Sequence, residues 1–290
     1  MGPRTKAGAV AVTMQPAIII PAHNESAVIE HTLRVLLDGF APEEVTVIVA
    51  ANGCTDDTIA KARAVASWIT VLDVHEPGKS GAIRAAEAQL GPGPRIYLDA
   101  DIAMSAASAK AVFARLSAGA GGARPPAVVD VDGASWLVCS FHRARSRLSS
   151  VQQEFSGGGS YGLSWETRQR FGAFPNVLGD DLFAARVVPE GRAEIIDAAP
   201  VVVHPPRDSR SLTRVLARHV RGNRQLGDMF PDIAPLTTKQ TVLSLVRSVR
   251  GPSSLADATV YAGFVTAGRV LATRTGTRWE RDDSSRLVNR

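Results

Sequence analysis

Apolar and polar positions alternate with two periods over the first hundred residues. Ala17–Ile20 is a short, wholly apolar run that stops at Pro21, and it predicts a buried strand. From Ser26 to Leu37 the apolar positions fall at 28, 29, 33, 36 and 37, the spacing of one helix face, with Asn24 as N-cap. Val45–Ala50 and Ile69–Val74 are β-branched and apolar, and each predicts another strand. Thr55 is placed to cap a helix over Asp56–Ala66; Lys79–Leu90 predicts a third helix and Ile96–Leu98 a fourth strand. Buried strands alternating with helices predict an α/β fold, with a mostly parallel central sheet and helices on both faces. In such sheets crossovers are right-handed and ligands bind at the carboxyl ends of the strands.

The second half is less regular. Residues 118–126 are rich in Gly, Ala and Pro and predict a loop, while Ala127–Val131, Tyr161–Ser164 and Ala198–Val203 predict strands. Gly179–Val187, Ser209–Leu226, Thr237–Arg250 and Ala256–Ala272 predict helices. Residues 1–14 and about 282–290 are expected to be mobile tails. No internal repeat is present.

Composition narrows the class. A chain of 290 residues that is 45% apolar and 21% charged builds its own core, which excludes a disordered chain, a collagen-like repeat and a coiled-coil rod. Cys54 and Cys139 cannot form a disulfide framework, and no CxxC or Cys/His cluster suggests zinc, so a reducing, intracellular setting is expected. The net charge of +5 is uneven: residues 201–290 hold 15 Lys and Arg against 7 Asp and Glu. A basic C-terminal third fits phosphate-bearing ligands, a nucleic acid or an anionic membrane surface. The first two hundred residues lack an aromatic RNA-binding motif and a basic recognition helix, so no nucleic-acid partner is expected. Ala7–Ile20 is too short to span a membrane and Pro16 interrupts it. Arg4 and Lys6 ahead of Ala7–Val12 mimic a signal peptide with too short an apolar core. In Leu255–Leu271, Asp257 and Arg269 leave too few uncharged residues to span, which predicts a buried or interfacial helix.

Two carboxylates, Asp99 and Asp101, stand where the fourth strand ends. Alternation along an extended chain would put both on one side. Neighbouring carboxylates repel unless a proton or cation separates them, and hard divalent ions such as Mg²⁺ or Mn²⁺ favour that oxygen environment. The alternative, a pair of solvated loop aspartates, is outweighed by their place at the ligand-binding edge. A second pair, Asp180-Asp181, opens a predicted helix, where a capping role and a catalytic base are evenly matched.

At these residues the chain resembles the family 2 glycosyltransferases of GT-A fold. Ile18-Ile19-Ile20-Pro21-Ala22-His23-Asn24-Glu25 resembles the family's opening segment, and Val49–Thr58 its second nucleotide segment. Pro77-Gly78-Lys79-Ser80 carries a lysine ahead of a helix, Asp99-Ala100-Asp101 matches the DxD motif, and Gly157–Ser164 resembles the segment before the acceptor site. Gly179-Asp180-Asp181 and the Arg-rich Arg218–Leu226 follow in the family's order, so the likeness covers about residues 16–230.

The resemblance implies a GT-A domain over 15–235, with a nucleotide-binding half at 15–103 and an acceptor half at 104–235, and a helical extension at 236–290. It implies a nucleotide-diphosphate sugar as donor and Mn²⁺ or Mg²⁺ as cofactor. Pro21, Ala22, Asn24 and Glu25 would line the base and ribose, and Lys79 would face the nucleotide. Asp99 would approach the ribose or sugar, Asp101 would bind the metal, and Asp181, beside Asp180, would be the general base of an inverting transfer. Asn52 stands where the family usually has an aspartate, which leaves base preference unsettled. His204 either completes the metal shell or is a hydrogen-bonded histidine at a strand end. Arg210, Arg214, Arg218 and Arg221 share a helix face, and Arg221 and Arg224 are the expected phosphate contacts. The acceptor, whether saccharide, small molecule or lipid-linked, is not specified. The implied location is cytoplasmic, with peripheral contact at the inner membrane face through the basic third, and a homo-oligomer, left open. A nucleotidyltransferase and a non-catalytic scaffold on the same fold are the rival readings; the absence of glycine from Pro21–Glu25 counts against the first.

Gly78-Lys79-Ser80 and the spacing of Gly157, Gly159 and Gly162 superficially match phosphate-binding motifs, but their sequence context does not support either.

Overall fold

A computed structural model describes residues 14–75, 78–152, 154–231 and 238–274. The chain begins β1 (Ala17–Ala22), α1 (Ile29–Leu37), β2 (Thr46–Asn52), α2 (Thr58–Val65), β3 (Thr70–Val74), α3 (Lys79–Glu87), β4 (Arg95–Leu98) and α4 (Ala106–Ser117). It continues β5 (Gly122–Arg124), β6 (Ala127–Val129), α5 (Trp136–Ser146), α6 (Ser149–Gln152), β7 (Ser160–Leu163), α7 (Trp165–Arg168) and α8 (Asp180–Val187). It ends β8 (Ala193–Ile195), β9 (Val201–Val203), α9 (Ser209–Met229), α10 (Thr238–Arg247) and α11 (Pro252–Arg274). The tail assigned to 1–14 lies outside the described residues apart from Met14, as does the tail at 282–290.

The main sheet has the strand order β3-β2-β1-β4-β7-β5-β8, and β6 pairs with β9 in a small parallel sheet. The first four strands are mutually parallel; β7 runs antiparallel to both β4 and β5, and β8 is parallel to β5. The apolar runs at β1, β2 and β4 carry no polar face because both faces are covered. Ile18, Ile20, Val47, Val49, Ile96 and Leu98 point into a core under α1 and α4. Their alternates Ile19, Ile48, Ala50 and Tyr97 pack against α3 and α8. This period-two division of a continuous apolar run distinguishes a buried parallel strand from a half-exposed one.

Several local expectations change. Helix α1 starts at Ile29, and Asn24 does not cap it. Asn24 instead adopts φ 54° and accepts the Thr55 N–H at 2.7 Å. Helix α2 starts at Thr58, where Asp56 rather than Thr55 accepts the first-turn N–H at 3.0 Å. The segment 118–126 contains β5, which sequence composition hides. Gly122 is required there, because a Cβ would stand 2.7 Å from Val188 and 2.8 Å from Phe155. Helices α4 and α5 were not anticipated.

The C-terminal helix α11 packs on α5 and α9 around Val138, Phe141, Leu212 and Phe264. Of the two expectations for residues 255–271, packing within the fold is therefore the one observed. No helix among the described residues is long and apolar enough to cross a membrane.

Candidate active site

The loops after β1 and β2 are tied together by side chains. Asn52, only 2% exposed, donates from Nδ2 to the Ala22 carbonyl at 3.1 Å and accepts the Gly78 N–H on Oδ1 at 3.0 Å. Its amide thus fixes three segments, the ends of β1 and β2 and the entry to α3. That geometry uses one donor and one acceptor, which an aspartate could not provide. His23 Nδ1 donates to the Asn52 carbonyl at 2.6 Å, and the buried Glu25 gives its backbone N–H to Thr58 Oγ1 at 2.7 Å. Pro21 and Ala22 close β1 opposite Ala50 and Ala51. The four residues Pro21, Ala22, Asn24 and Glu25 therefore form one wall at the carboxyl end of the sheet.

Lys79 is the electrostatic hub. Its Nζ lies 2.6 Å from Asp99 Oδ1 and 2.8 Å from Asp180 Oδ1. Burial would lower this ammonium, but Asp180 and Asp99 outweigh it and hold the group charged, above the usual lysine range. Desolvation pushes the Asp99 carboxyl up, to about 6; Lys79 pulls it the other way, and Asp180 and Asp101 add to the rise. Asp180 is 5% exposed, and its other oxygen accepts from the Tyr161 hydroxyl at 3.1 Å. Tyr161 in turn stacks on Tyr97, ring centroids 4.8 Å apart.

The two aspartates of the DxD segment do not alternate on an extended strand. The Ile102 N–H bonds to the Asp99 carbonyl at 3.1 Å, so the chain turns directly after β4. The Gly157–Gly159 run wraps this turn. The Asp99 N–H donates to the Gly159 carbonyl at 2.8 Å, and the Gly157 N–H donates to Asp181 Oδ2 at 2.7 Å. Asp181 Oδ1 also accepts the Leu182 N–H at 2.8 Å, so this carboxylate is aimed by backbone groups while Asp180 is held by side chains. The glycines are not a dinucleotide-binding turn: a Cβ at Gly162 would meet Val112 at 2.7 Å, so that glycine serves helix–sheet packing.

Oxygen donors at Asp99 and Asp101 suit a hard divalent ion. Among the described residues no group of three His, Cys, Asp or Glu side chains is set to hold a metal without further ligands. No described contact links His204 to Asp101; its Nδ1 lies 3.5 Å from Asp130 Oδ2 at the ends of β9 and β6. Arg221 and Arg224 lie on α9. That helix is docked on the loop before Asp180 by Gln225, which accepts from the Leu178 N–H at 3.0 Å and donates to the Asn176 carbonyl at 2.8 Å. No described contact carries Arg224 to the carboxylates. Tyr161, His23 and the Gly157–Gly159 backbone were not anticipated as parts of the site. The glycine run was the available signal for the last.

Residues 17–133 match the family described as Glycosyl transferase family 2. The glycosyltransferase AglD of Haloferax volcanii is 37% identical over 109 residues, which is 34% of this chain and 17% of that protein; the chain thus spans about a sixth of that relative. The mannosyltransferase PcManGT from Pyrobaculum calidifontis, solved with GDP-Man and Mn²⁺, superposes with a TM-score of 0.60 at 19% identity, covering 91% of this chain and 76% of that one. Glucosyl-3-phosphoglycerate synthase from Mycobacterium tuberculosis, solved with Mn²⁺, UDP-Glc and phosphoglyceric acid, gives 0.52 at 18% identity over 72% and 79% of the two chains. At these identities the two structures establish the fold, a GT-A sheet with its flanking helices. The sequence match covers β1 to β4 and the DxD turn, so over residues 17–133 the chain is similar to glycosyl transferase family 2.

Proposed function

We propose that this chain is a metal-dependent, inverting glycosyltransferase that moves a sugar from a nucleotide-diphosphate donor to an acceptor hydroxyl. The observation that carries the proposal is the convergence of Asp99, Lys79, Asp180 and Asp181 at the carboxyl end of the sheet, bound together by residues 157–161. Pro21, Ala22, Asn24 and Glu25 would form the wall for base and ribose, with Asn52 positioning that wall. Lys79 pairs with both Asp99 and Asp180 and fixes the two carboxyls relative to each other. Asp101 would hold Mn²⁺ or Mg²⁺, which would supply neutralisation of the diphosphate leaving group. Arg221 and Arg224 remain candidates for phosphate contact. Asp181 is the general base: each of its oxygens accepts one backbone N–H and keeps a lone pair for the acceptor hydroxyl proton. Direct displacement by that oxygen would invert the anomeric carbon.

The departure that would favour a non-catalytic scaffold is Asn52, which stands where the family usually has an aspartate. Its two backbone hydrogen bonds give the amide a structural purpose and remove that argument. The test is turnover of nucleotide sugars by the full chain with Mn²⁺. Asp181→Asn should lose about 10²–10⁴-fold in kcat while nucleotide binding survives, and a loss of only two- or threefold would remove Asp181 from the mechanism. Asp101→Ala should abolish metal-dependent nucleotide binding.

A further inference from the structure

Helix α5 ends with three arginines whose surroundings differ. Arg143 and Arg147, one turn apart, both pair with Asp257, at 2.9 and 2.8 Å. Arg145, on the other side of the helix, is half-buried, and among the described residues no hydrogen bond or ion pair engages its guanidinium. Its Nη2 lies 3.6 Å from where a Cβ on Gly157 would stand, and Gly157 is the residue whose N–H holds Asp181. The adjacent Gly158 lies equally close to Arg124, whose Nη1 is 3.4 Å from the corresponding point. Arg124 is 5% exposed, and its terminal nitrogens donate to the Pro125 and Glu154 carbonyls. From α9, His219 lies within electrostatic reach of Arg218, Asp181 and Arg145. The carboxylates facing this cluster are Asp181 and Glu154, and Glu154 already accepts from the Ser156 hydroxyl at 2.8 Å. Arginines from β5 and α5 therefore converge on the glycine run beside the proposed base, with His219 of α9 nearby as a neutral imidazole, held low at about 4 by burial and by Arg218. The C-terminal turn of α5 favours a cation at Arg145, but it does not account for a half-buried guanidinium beside Gly157 that no hydrogen bond or ion pair engages among the described residues.

We propose that the acceptor carries a phosphate group, clamped by Arg145 with His219 and Arg218, which presents the acceptor hydroxyl to Asp181. This rests on the transferase reading above and names the acceptor class for the same site. A guanidinium binds phosphate through paired N–H donors, and glycine at 157 and 158 leaves room for the anion to approach the backbone. The phosphate is remote from the reacting atoms, so its contacts bind ground state and transition state alike and should appear in KM rather than kcat.

The test uses the full chain saturated with nucleoside diphosphate and Mn²⁺, so that the donor site is filled. Glycerol phosphate should raise the melting temperature and glycerol should not. Arg145→Met should weaken glycerol phosphate binding by about 10- to 100-fold, as loss of one charge-assisted bond implies, while nucleotide binding stays unchanged. Arg145→Lys, which keeps the charge and loses the fork, should fall between. Vesicles of phosphatidylcholine with and without phosphatidic acid offer the same group on a lipid. Retention on the doped vesicles that Arg145→Met abolishes would identify a lipid-borne acceptor; a glycerol phosphate shift without retention would identify a soluble one. Equal phosphate binding by wild type and Arg145→Met, or no phosphate binding while nucleotide binds normally, would overturn this inference and leave the donor reading standing. Failure of nucleotide to bind with metal would overturn the donor reading and this inference with it.

Discussion

Asp257 is the acidic residue that interrupts the apolar run of α11, and the structure buries it at 4% exposure. Its carboxylate accepts from Ser140 Oγ at 2.6 Å, from Arg143 Nη2 at 2.9 Å and from Arg147 Nη2 at 2.8 Å. Burial alone would raise this carboxyl, but hydrogen bonds from Arg143, Ser140 and Arg147 hold it well below the usual carboxylate range. Asp257→Ala strands the buried Ser140 hydroxyl, which costs about 1–2 kcal/mol. Arg143 and Arg147 have side chains 57% and 33% exposed, so each recovers water and loses at most about 1 kcal/mol. The total is about 3 kcal/mol, the low end for breaking a buried pair, or about 6–12 °C in Tm for a chain of this size. Urea unfolding of the full chain at pH 7.5 measures it, and Asp257→Asn, which keeps one acceptor, should cost about half. The sign with pH is fixed. A carboxyl depressed in the folded state stabilises above its unfolded value, about 3.9, and loses that contribution as pH falls toward the folded value. The gap between wild type and Asp257→Ala should therefore be constant near neutrality and narrow below about pH 4. A gap under about 0.5 kcal/mol at pH 7.5, or one that widens in acid, would refute the reasoning.

Three further outcomes follow from the site and its supports. Lys79→Met leaves Asp99 and Asp180 without their shared cation; because the Asp99 carboxyl sits near 6 even with Lys79 present, the loss in Tm should be larger at pH 8 than at pH 5, with Mn²⁺ recovering part of it at pH 8. Gly159→Ala places a Cβ 2.5 Å from Ile102 Cγ1 at φ 65°, so unfolding free energy should fall by about 1–3 kcal/mol and turnover should drop with it as the Asp99 N–H contact shifts. Gly227→Ala, in α9 with open space around it, should instead raise stability by about 0.5–1 kcal/mol in the same urea assay.

The elements that were legible in the sequence are those with one dominant period. β1 to β4 and α1 to α3 read correctly because fully buried strands leave uninterrupted apolar runs, and the helices between them have a clear face. What failed was non-local. Asn24 has the composition of a cap, but its partner is Thr55, across two strands. β5 is three residues of Gly-Ala-Arg, held by pairing with β7 and β8 that nothing local announces. Asp99 and Asp101 were rightly placed at the strand end, but on an extended chain that in fact turns. The same limit separates Arg145 from its neighbours in sequence. Arg143, Arg145 and Arg147 look alike in the chain, and only the positions of Asp257 and Gly157 divide them into two that anchor α11 and one that faces the site.

The reversed strand β7 explains why one short segment reaches so much of the site. In a parallel sheet every strand delivers its end to the ligand edge and starts at the far side. β7 is antiparallel to β4, so its start lies beside the end of β4, with Ser160 opposite Leu98. The residues entering it therefore arrive where β4 delivers Asp99, and successive odd positions touch three different aspartates, two through their carboxylates and one through its backbone N–H. The Gly157 N–H holds Asp181, the Gly159 carbonyl takes the Asp99 N–H, and the Tyr161 hydroxyl holds Asp180. Lys79, entering from the other side after β3, closes the same set by bridging Asp99 and Asp180. Asp99, Asp180 and Asp181 are thus registered by a single strand entry. A parallel strand at that place would have put these residues at the opposite edge of the sheet, so the placement of the candidate base follows from the topology as much as from the aspartates themselves.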